Sequence, residues 1–332
     1  MRQFEYAAPK STQQAVGLLG PNAQILAGGT DLLALMKDDI VTPKRVVNIK
    51  DVEGLTRAVV GQDAFFVGAL AKLSDIADNA EVRKRYPMLA NAADEAASPQ
   101  IRNMATIGGN LCQRPRCWYF RSGFGLLAMK DGKSMVAEGD NRNHAIIGND
   151  GSAKFVSPST IAPALIAYNA FVTVVGPKGT RNIELAKFYR IPKAEGEREH
   201  DLQPNEMITE IVLPLAGSAM SLRGPAHAAQ YEIRQKAAFD WPMALASVAL
   251  WVDGRTVTKA NIVLGAVAPV PWVSQEAAQA LIGKELNEQT ADAAGQAAVS
   301  IAKPLSMNGY KVQLTRVAVK RALLQAAEGA RA

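Results

Sequence analysis

The chain has 332 residues, 48% of them hydrophobic and 20% charged, which is typical of a globular protein with two or three packed units. Its net charge of +6 is spread among interleaved acidic and basic residues, so we expect no nucleic-acid partner. We predict a cytoplasmic protein, because two cysteines are too few for a disulfide scaffold, no apolar run reaches the ~18 residues of a membrane span, and the first residues lack a signal-peptide layout. Export together with a signal-bearing partner stays open.

The first predicted unit, residues 1–54, is a small α/β unit. Residues 11–14 have the pattern of a capping box that opens a short helix, and residues 24–27 form a short apolar strand. A second helix follows from residue 31, and a second strand covers residues 45–49.

The second predicted unit covers residues 55–222. Strands are predicted at 65–70, 171–175, 181–183 and 207–213, with helices at 73–77, 88–97 and 160–167. Residues 112–152, here called the excursion, are rich in Gly, Asp, Asn, Arg and Lys and have little periodicity, which indicates a long loop.

The third predicted unit covers residues 223–332 and follows a stretch rich in Gly, Ser and Ala. Antiparallel strands are predicted at 231–233, 244–252 and 257–267, and three helices complete the chain. The apolar stripe of the last helix, residues 310–327, predicts a core element rather than a partner site.

Two glycine pairs are the main functional signal. Gly28-Gly29 lies between a predicted strand and a predicted helix, and Gly108-Gly109 lies farther along the chain. Paired glycines let the backbone approach a ligand with its N–H groups outward, and a helix N-terminus favours an anion by ~0.3–1 kcal/mol. Most glycine pairs are ordinary turns, but two with these flanks predict one elongated phosphate ligand.

The flanks of these pairs resemble the FAD-binding medium subunit of molybdenum hydroxylases, the group of xanthine dehydrogenase, carbon monoxide dehydrogenase and aldehyde oxidoreductase. The specific part is Ile25–Leu33 and Ala105–Leu111. Less specific segments agree in order along nearly the whole chain, at 157–165, 205–211, 239–249, 265–272 and 308–311.

The resemblance implies an α+β fold. It would comprise a two-part FAD-binding module, with a small N-terminal α/β unit and a larger α/β unit with a mixed sheet, and then a C-terminal α+β domain with a small antiparallel sheet and helices. The residues that the resemblance assigns to FAD are Leu26, Ala27, Gly28, Gly29, Thr30, Asp31, Leu32, Thr106, Gly108, Gly109, Asn110, Thr160, Ile208 and Lys236. Since a carboxylate repels a diphosphate, we expect Asp31 to cap its helix or to accept from a ribose hydroxyl.

The resemblance also implies a function in electron transfer. FAD would take electrons from [2Fe–2S] clusters of a small subunit and pass them to an external acceptor, while a large subunit carries the molybdenum cofactor. We assign no catalytic residue to this chain, because its three histidines form no visible acid–base cluster. The alternatives are a stand-alone FAD-dependent oxidoreductase and a noncatalytic nucleotide-binding module.

The chain departs from the family at three places. Some relatives carry a [4Fe–4S] cluster after the second glycine pair, which needs four thiolates, whereas this chain has only Cys112 and Cys117. We therefore predict no metal site here, since a zinc site with His144 would also lack a fourth ligand. Relatives often have Asp at the position of Thr160 and Lys at that of Glu232, which makes Lys236 the alternative cation.

Overall fold

The structure is a computed structural model that describes residues 1–221, 224–225, 227–235 and 239–328. The α+β fold class is confirmed, with three main sheets that follow one another along the chain. Among the described helices, none is long and apolar enough to cross a membrane.

The first unit contains a three-stranded parallel sheet in the order β1-β3-β2, as the α/β prediction requires. Its elements are β1 (Glu5–Ala7), α1 (Thr12–Leu18), β2 (Ala23–Leu26), α2 (Leu32–Lys37) and β3 (Arg45–Asn48). Ser11 accepts the N–H of Gln14 at 3.2 Å, so the predicted cap forms. Val47 and Ile49 share a hydrophobic cluster with Leu70 and Met207 of the second unit, so the two units have a common core.

The second unit is built on a five-stranded sheet in the order β4-β5-β10-β8-β9. Its elements outside the excursion are β4 (Ala58–Val60), β5 (Ala64–Gly68), α3 (Leu73–Asp78), α4 (Ala80–Arg85), α5 (Pro87–Glu95), α6 (Pro99–Arg102), α7 (Ile107–Leu111), α10 (Ile161–Ala167), β8 (Phe171–Gly176), β9 (Gly179–Glu184), α11 (Leu185–Phe188) and β10 (Met207–Pro214). All its strand pairs are antiparallel, so the expectation of a mixed sheet was wrong. The reason is that β10 lies between two hairpins, β4–β5 and β8–β9, and runs antiparallel to the strand on each side. No crossover connection joins parallel neighbours in this sheet.

The excursion is more ordered than its sequence indicates. It contains α8 (Trp118–Arg121), β6 (Met129–Lys130), β7 (Lys133–Ser134) and α9 (Met135–Glu138). Phe120, Leu126 and Leu127 form a small core with Phe155 and with Leu35 of α2. This core holds the excursion against the first unit, directly behind the first glycine pair.

The third unit has a four-stranded antiparallel sheet in the order β11-β12-β13-β14, followed by helices as predicted. Its elements are β11 (His227–Arg234), β12 (Pro242–Asp253), β13 (Thr256–Gly265), β14 (Trp272–Val273), α12 (Gln275–Leu281), α13 (Glu288–Ala298) and α14 (Tyr310–Glu328). Val319 and Leu323 of α14 are fully buried, which confirms a core helix. Residues 222 and 223 lie outside the described residues, and the division between the second and third units stays a prediction.

A buried lysine joins the third unit to the excursion. Lys311, at the start of α14, is 1% exposed and donates to the carbonyl oxygens of His144 at 3.1 Å and Ala266 at 2.6 Å. Lys311 has no salt bridge within the described ranges, and burial lowers its pKa to about 7.

We expect Lys311 to make the free energy of unfolding rise with pH between about 7 and 10, by at most about 1.4 kcal/mol per pH unit. The sign follows because the unfolded chain, with an ordinary lysine pKa of about 10.4, binds more protons in this range than the folded chain. Denaturant unfolding at pH 7, 8 and 9 should give a shallower slope for Lys311→Met than for the unsubstituted protein. Equal slopes would contradict this assignment.

Candidate functional site

A cleft of ≈ 670 Å³ lies between the first and second units, with residues of the third unit at its rim, and is lined by both glycine pairs. This volume is in the usual range for cofactor sites. The predicted residues that line it are Ala27, Gly28, Gly29, Thr30, Asp31, Leu32, Thr106, Gly108, Gly109, Asn110, Thr160 and Ile208. Leu26 does not line the cleft, and its Cδ1 lies 3.2 Å from the position of a Cβ on Gly29. Lys236 lies outside the described residues.

The first glycine turn, residues 27–32, presents unpaired backbone donors to the cleft. In the part of the chain that the structure describes, the N–H groups of residues 28 to 32 have no hydrogen-bond acceptor. Gly29 has a φ of +75°, in the left-handed region, which lets the chain turn from β2 into α2. A run of free N–H groups at a helix start favours an anion, and the contact of these residues with FAD stays a prediction.

The second glycine turn, residues 106–110, differs from this expectation. Its glycines lie in the first turn of α7, and the N–H groups of Gly108, Gly109 and Asn110 bond to Ala69 O at 2.9 Å, Thr106 Oγ1 at 3.2 Å and Thr106 O at 2.8 Å. The expectation that this turn offers free N–H groups to a ligand was therefore wrong, because Ala69 O and the side chain and carbonyl of Thr106 already accept from these donors. Asn110 Oδ1 accepts from Ser159 at 2.6 Å, and its amide nitrogen has no acceptor among the described residues.

The two glycines of each pair have different structural roles. A Cβ on Gly28 would lie 1.8 Å from Met104 O, and one on Gly108 would lie 2.9 Å from Ala69 O. These two glycines therefore allow close packing of one backbone on another. Gly109 is exposed at the cleft, and its Cβ would meet only Thr106 Oγ1, at 2.9 Å. Gly109 is thus the glycine that keeps space for a ligand.

Asp31 binds the excursion instead of capping its own helix, so the cap interpretation was wrong. It makes no side-chain cap bond in α2, and its carboxylate accepts from the backbone N–H of Arg114 at 2.8 Å. It also accepts from the guanidinium groups of Arg116 and Arg121, the latter at 2.8 Å. Burial would raise the pKa of Asp31, but these arginines and the N–H of Arg114 outweigh it and hold the pKa below its usual range.

The opposite wall of the cleft contains two residues that the sequence reasoning missed. His200 and Arg198 both line the cleft, and Arg198 lies 3.2 Å from His200 Nε2. His200 is buried and stacks on Phe188 with ring centroids 5.3 Å apart; burial lowers its pKa to about 3, so it is neutral. Residues 193–206 are charged and have no apolar period, so the sequence carries no local signal of a buried histidine here.

Among the described residues near the start of the third unit, the cation that reaches the cleft is Arg234. Arg234 lines it and pairs with the buried carboxylate of Glu232 at 2.5 Å. Its guanidinium also donates to Glu95 O at 2.9 Å. The residue that departs from the family, Glu232, therefore orients an arginine at the cleft wall.

The two cysteines occupy different environments. Cys117 Sγ lies 3.1 Å from His144 Nε2, whereas Cys112 packs against the core of the second unit. Burial raises the pKa of both thiols, that of Cys112 to about 12, and lowers the pKa of His144 to about 4, so these groups are neutral. Within the described ranges, no three His, Cys, Asp or Glu side chains are placed to hold a metal ion.

The absence of a [4Fe–4S] cluster stays a prediction, and a chemical assay tests it directly. Iron and acid-labile sulfide determinations on the purified chain are expected to find neither, because only two thiols are present. Stoichiometric iron with broad visible absorption would show that the assignment is mistaken.

Comparisons with known proteins cover the whole fold. The family model described as the FAD binding domain in molybdopterin dehydrogenase matches residues 2–216, and that of the CO dehydrogenase flavoprotein C-terminal domain matches residues 229–326. The chain is 32% identical over 320 residues to the aldehyde oxidoreductase FAD-binding subunit PaoB of Escherichia coli K12, covering 92% of each chain. It is 30% identical over 329 residues to the carbon monoxide dehydrogenase medium chain of Hydrogenophaga pseudoflava, covering 97% of this chain and 96% of that one.

Solved structures give the same result. The carbon monoxide dehydrogenase from Hydrogenophaga pseudoflava that lacks the Mo-pyranopterin moiety matches with a TM-score of 0.76 and 28% identity over 98% of both chains. Quinoline 2-oxidoreductase from Pseudomonas putida 86 shares the fold, with a TM-score of 0.77 at 22% identity over 100% of this chain and 99% of that one. With its two glycine turns on one cleft and both family models matched, the chain belongs to the FAD-binding medium subunits of molybdenum hydroxylases.

Proposed function

We propose that the cleft holds FAD with its diphosphate against the free N–H groups of residues 28–32. The observation that carries this proposal is the run of unpaired donors at the first glycine turn in a chain of an FAD-binding family. When bound, FAD supplies a redox centre that accepts and releases electrons. The protein supplies binding, orientation and the local charge.

The roles of the individual residues follow from their free groups. Thr30 is exposed at the cleft and offers a hydroxyl, and Asn110 offers an amide nitrogen whose orientation is set by Ser159. Thr106 caps α7 and thereby fixes the position of Gly109. Thr160 and Ile208, both buried, close the opposite wall and exclude water.

We further infer that the chain is the electron-transfer subunit of a three-subunit enzyme. It would receive electrons from the [2Fe–2S] clusters of a small subunit and pass them to an external acceptor, with the molybdenum cofactor in a large subunit and the assembly in the cytoplasm. The relatives named as a medium chain and as an FAD-binding subunit support this role. So does the site chemistry, because the one histidine among the described cleft residues, His200, is neutral and stacked.

The test is to co-express the chain with its partner subunits, determine FAD per chain, and follow reduction by stopped-flow absorbance. We expect one FAD per chain and reduction of the iron–sulfur clusters before bleaching of the flavin. A chain without FAD would overturn the binding site. Substrate turnover by the isolated chain would favour a stand-alone FAD-dependent oxidoreductase, and FAD that the partners cannot reduce would favour a noncatalytic nucleotide-binding module.

A further inference from the structure

The carboxylate of Asp31 connects the first glycine turn to a segment of the excursion. Three donors converge on it, namely the backbone N–H of Arg114 and the guanidinium groups of Arg116 and Arg121. The side chains of Asp31, Arg116 and Arg121 are 15%, 27% and 19% exposed, so the ion pairs are largely shielded from water. Two cations on one anion leave a net positive charge at this turn.

The same segment is fixed on its other sides. Arg114 pairs with Glu199 at 2.7 Å, and Glu199 lies beside the cleft residues Arg198 and His200. Arg121 donates to the carbonyl oxygens of Pro115 at 2.9 Å and Arg114 at 3.1 Å, which sets the path of the backbone. Residues 113–121 are therefore held by ion pairs and hydrogen bonds between the first glycine turn and the opposite wall of the cleft.

Arg116 extends this connection to the third unit. Its guanidinium lies over the ring of Trp241, 4.8 Å from the centroid, and both residues line the cleft. Trp241 directly precedes β12 and is 45% exposed, so its ring is held in place partly by this contact. One side chain thus joins Asp31 of the first unit to Trp241 of the third unit along the cleft rim.

We propose that Arg116 is a positioning residue that retains FAD in the cleft. It does so by contacting both Asp31 and Trp241, here called the Arg116 bridge, and by offsetting the charge of Asp31 beside the free N–H groups. This inference rests on the proposed FAD site. Without Arg116 the rim contact is lost, and the net positive charge of Asp31 with its two arginines falls to zero, which weakens the attraction of this turn for a diphosphate. Both effects favour release of the cofactor.

The experiment measures the FAD dissociation rate of the complex by following transfer of the cofactor to an excess of an unrelated apoflavoprotein. Arg116→Gln should release FAD about tenfold faster, with weaker acceleration by added salt, because one ion pair is gone. Arg116→Lys should lie between, since it keeps the charge but loses the planar stack. Trp241→Leu should also release FAD faster, and combining it with Arg116→Gln should add little, because the two residues share one contact.

Arg142→Gln is the matched control. Arg142 lies in the same excursion, is 59% exposed and pairs with Asp140 at 2.6 Å away from the cleft lining. Its FAD release should match the unsubstituted protein within about twofold. Circular dichroism checks the fold of every variant, and if Arg116→Gln does not fold, Arg116→Lys and Trp241→Leu decide the question.

Two outcomes distinguish the role of the Arg116 bridge from the proposed function. If the unsubstituted complex holds FAD, and the Arg116 and Trp241 variants release FAD as slowly as the unsubstituted complex does, the proposed role of the Arg116 bridge is wrong and the FAD site stands. If the unsubstituted complex holds no FAD, the proposed function itself fails.

Discussion

Gly109→Leu is expected to give a folded protein that retains no FAD. Gly109 is exposed at the cleft, and a Cβ there would meet only Thr106 Oγ1, so a larger side chain extends into the ligand space rather than into the core. Leucine is also a good helix former, so α7 should persist. The measurement is FAD content after gel filtration, together with far-UV circular dichroism and thermal unfolding.

The matched control for Gly109→Leu is Gly17→Leu. Gly17 lies on α1, is exposed, and has no atom within 4 Å of its Cβ position. This variant should keep one FAD per chain. Gly29 is a poorer probe, because its φ of +75° makes any substitution strain the backbone. Stoichiometric FAD in folded Gly109→Leu would remove the second turn from the binding site.

Gly28→Ala is expected to destabilise the protein by about 3 kcal/mol, at the upper end for added core volume. The new Cβ would lie 1.8 Å from Met104 O and 2.7 Å from Met104 C, and backbone atoms cannot move aside as a flexible side chain can. Since β2 leads directly into this position, relief of the clash must separate the two glycine turns. Differential scanning calorimetry should show a Tm lower by roughly 4 °C.

Gly151→Ala is the control for Gly28→Ala, because Gly151 is exposed and a Cβ built on it has no neighbour within 4 Å. Its Tm should stay within about 1 °C of the unsubstituted protein. An unchanged Tm in Gly28→Ala would mean that the close packing of these two backbone segments does not require a glycine at position 28, contrary to the packing described above.

Much of the fold follows from local signals. The cap at Ser11, the β8–β9 hairpin and the strands β12 and β13 around residue 254 all lie within a few residues of the pattern that predicts them. The antiparallel pairing of the five-stranded sheet was not predictable in this way, because β5 and β10 are separated by most of the second unit. Local patterns specify elements, whereas long-range pairing specifies topology.

The site shows the same division between local and distant information. The sequence identified both glycine turns and, through their flanks, the family to which the chain belongs. It did not reveal that the N–H groups of the second turn already have acceptors within the protein. It also missed His200, because a buried, stacked imidazole in a charged loop has no local signature.

The sequence by itself therefore determined most of the elements outside the excursion, the family and the two turns that line the cleft, because each depends on residues adjacent in the chain. Only the tertiary structure decided what Asp31 does. Its partners Arg114, Arg116 and Arg121 lie 83, 85 and 90 residues away, and packing of the excursion against the first unit brings them to one carboxylate. Contacts over such distances in the chain arise from burial of a shared core, which no local pattern encodes.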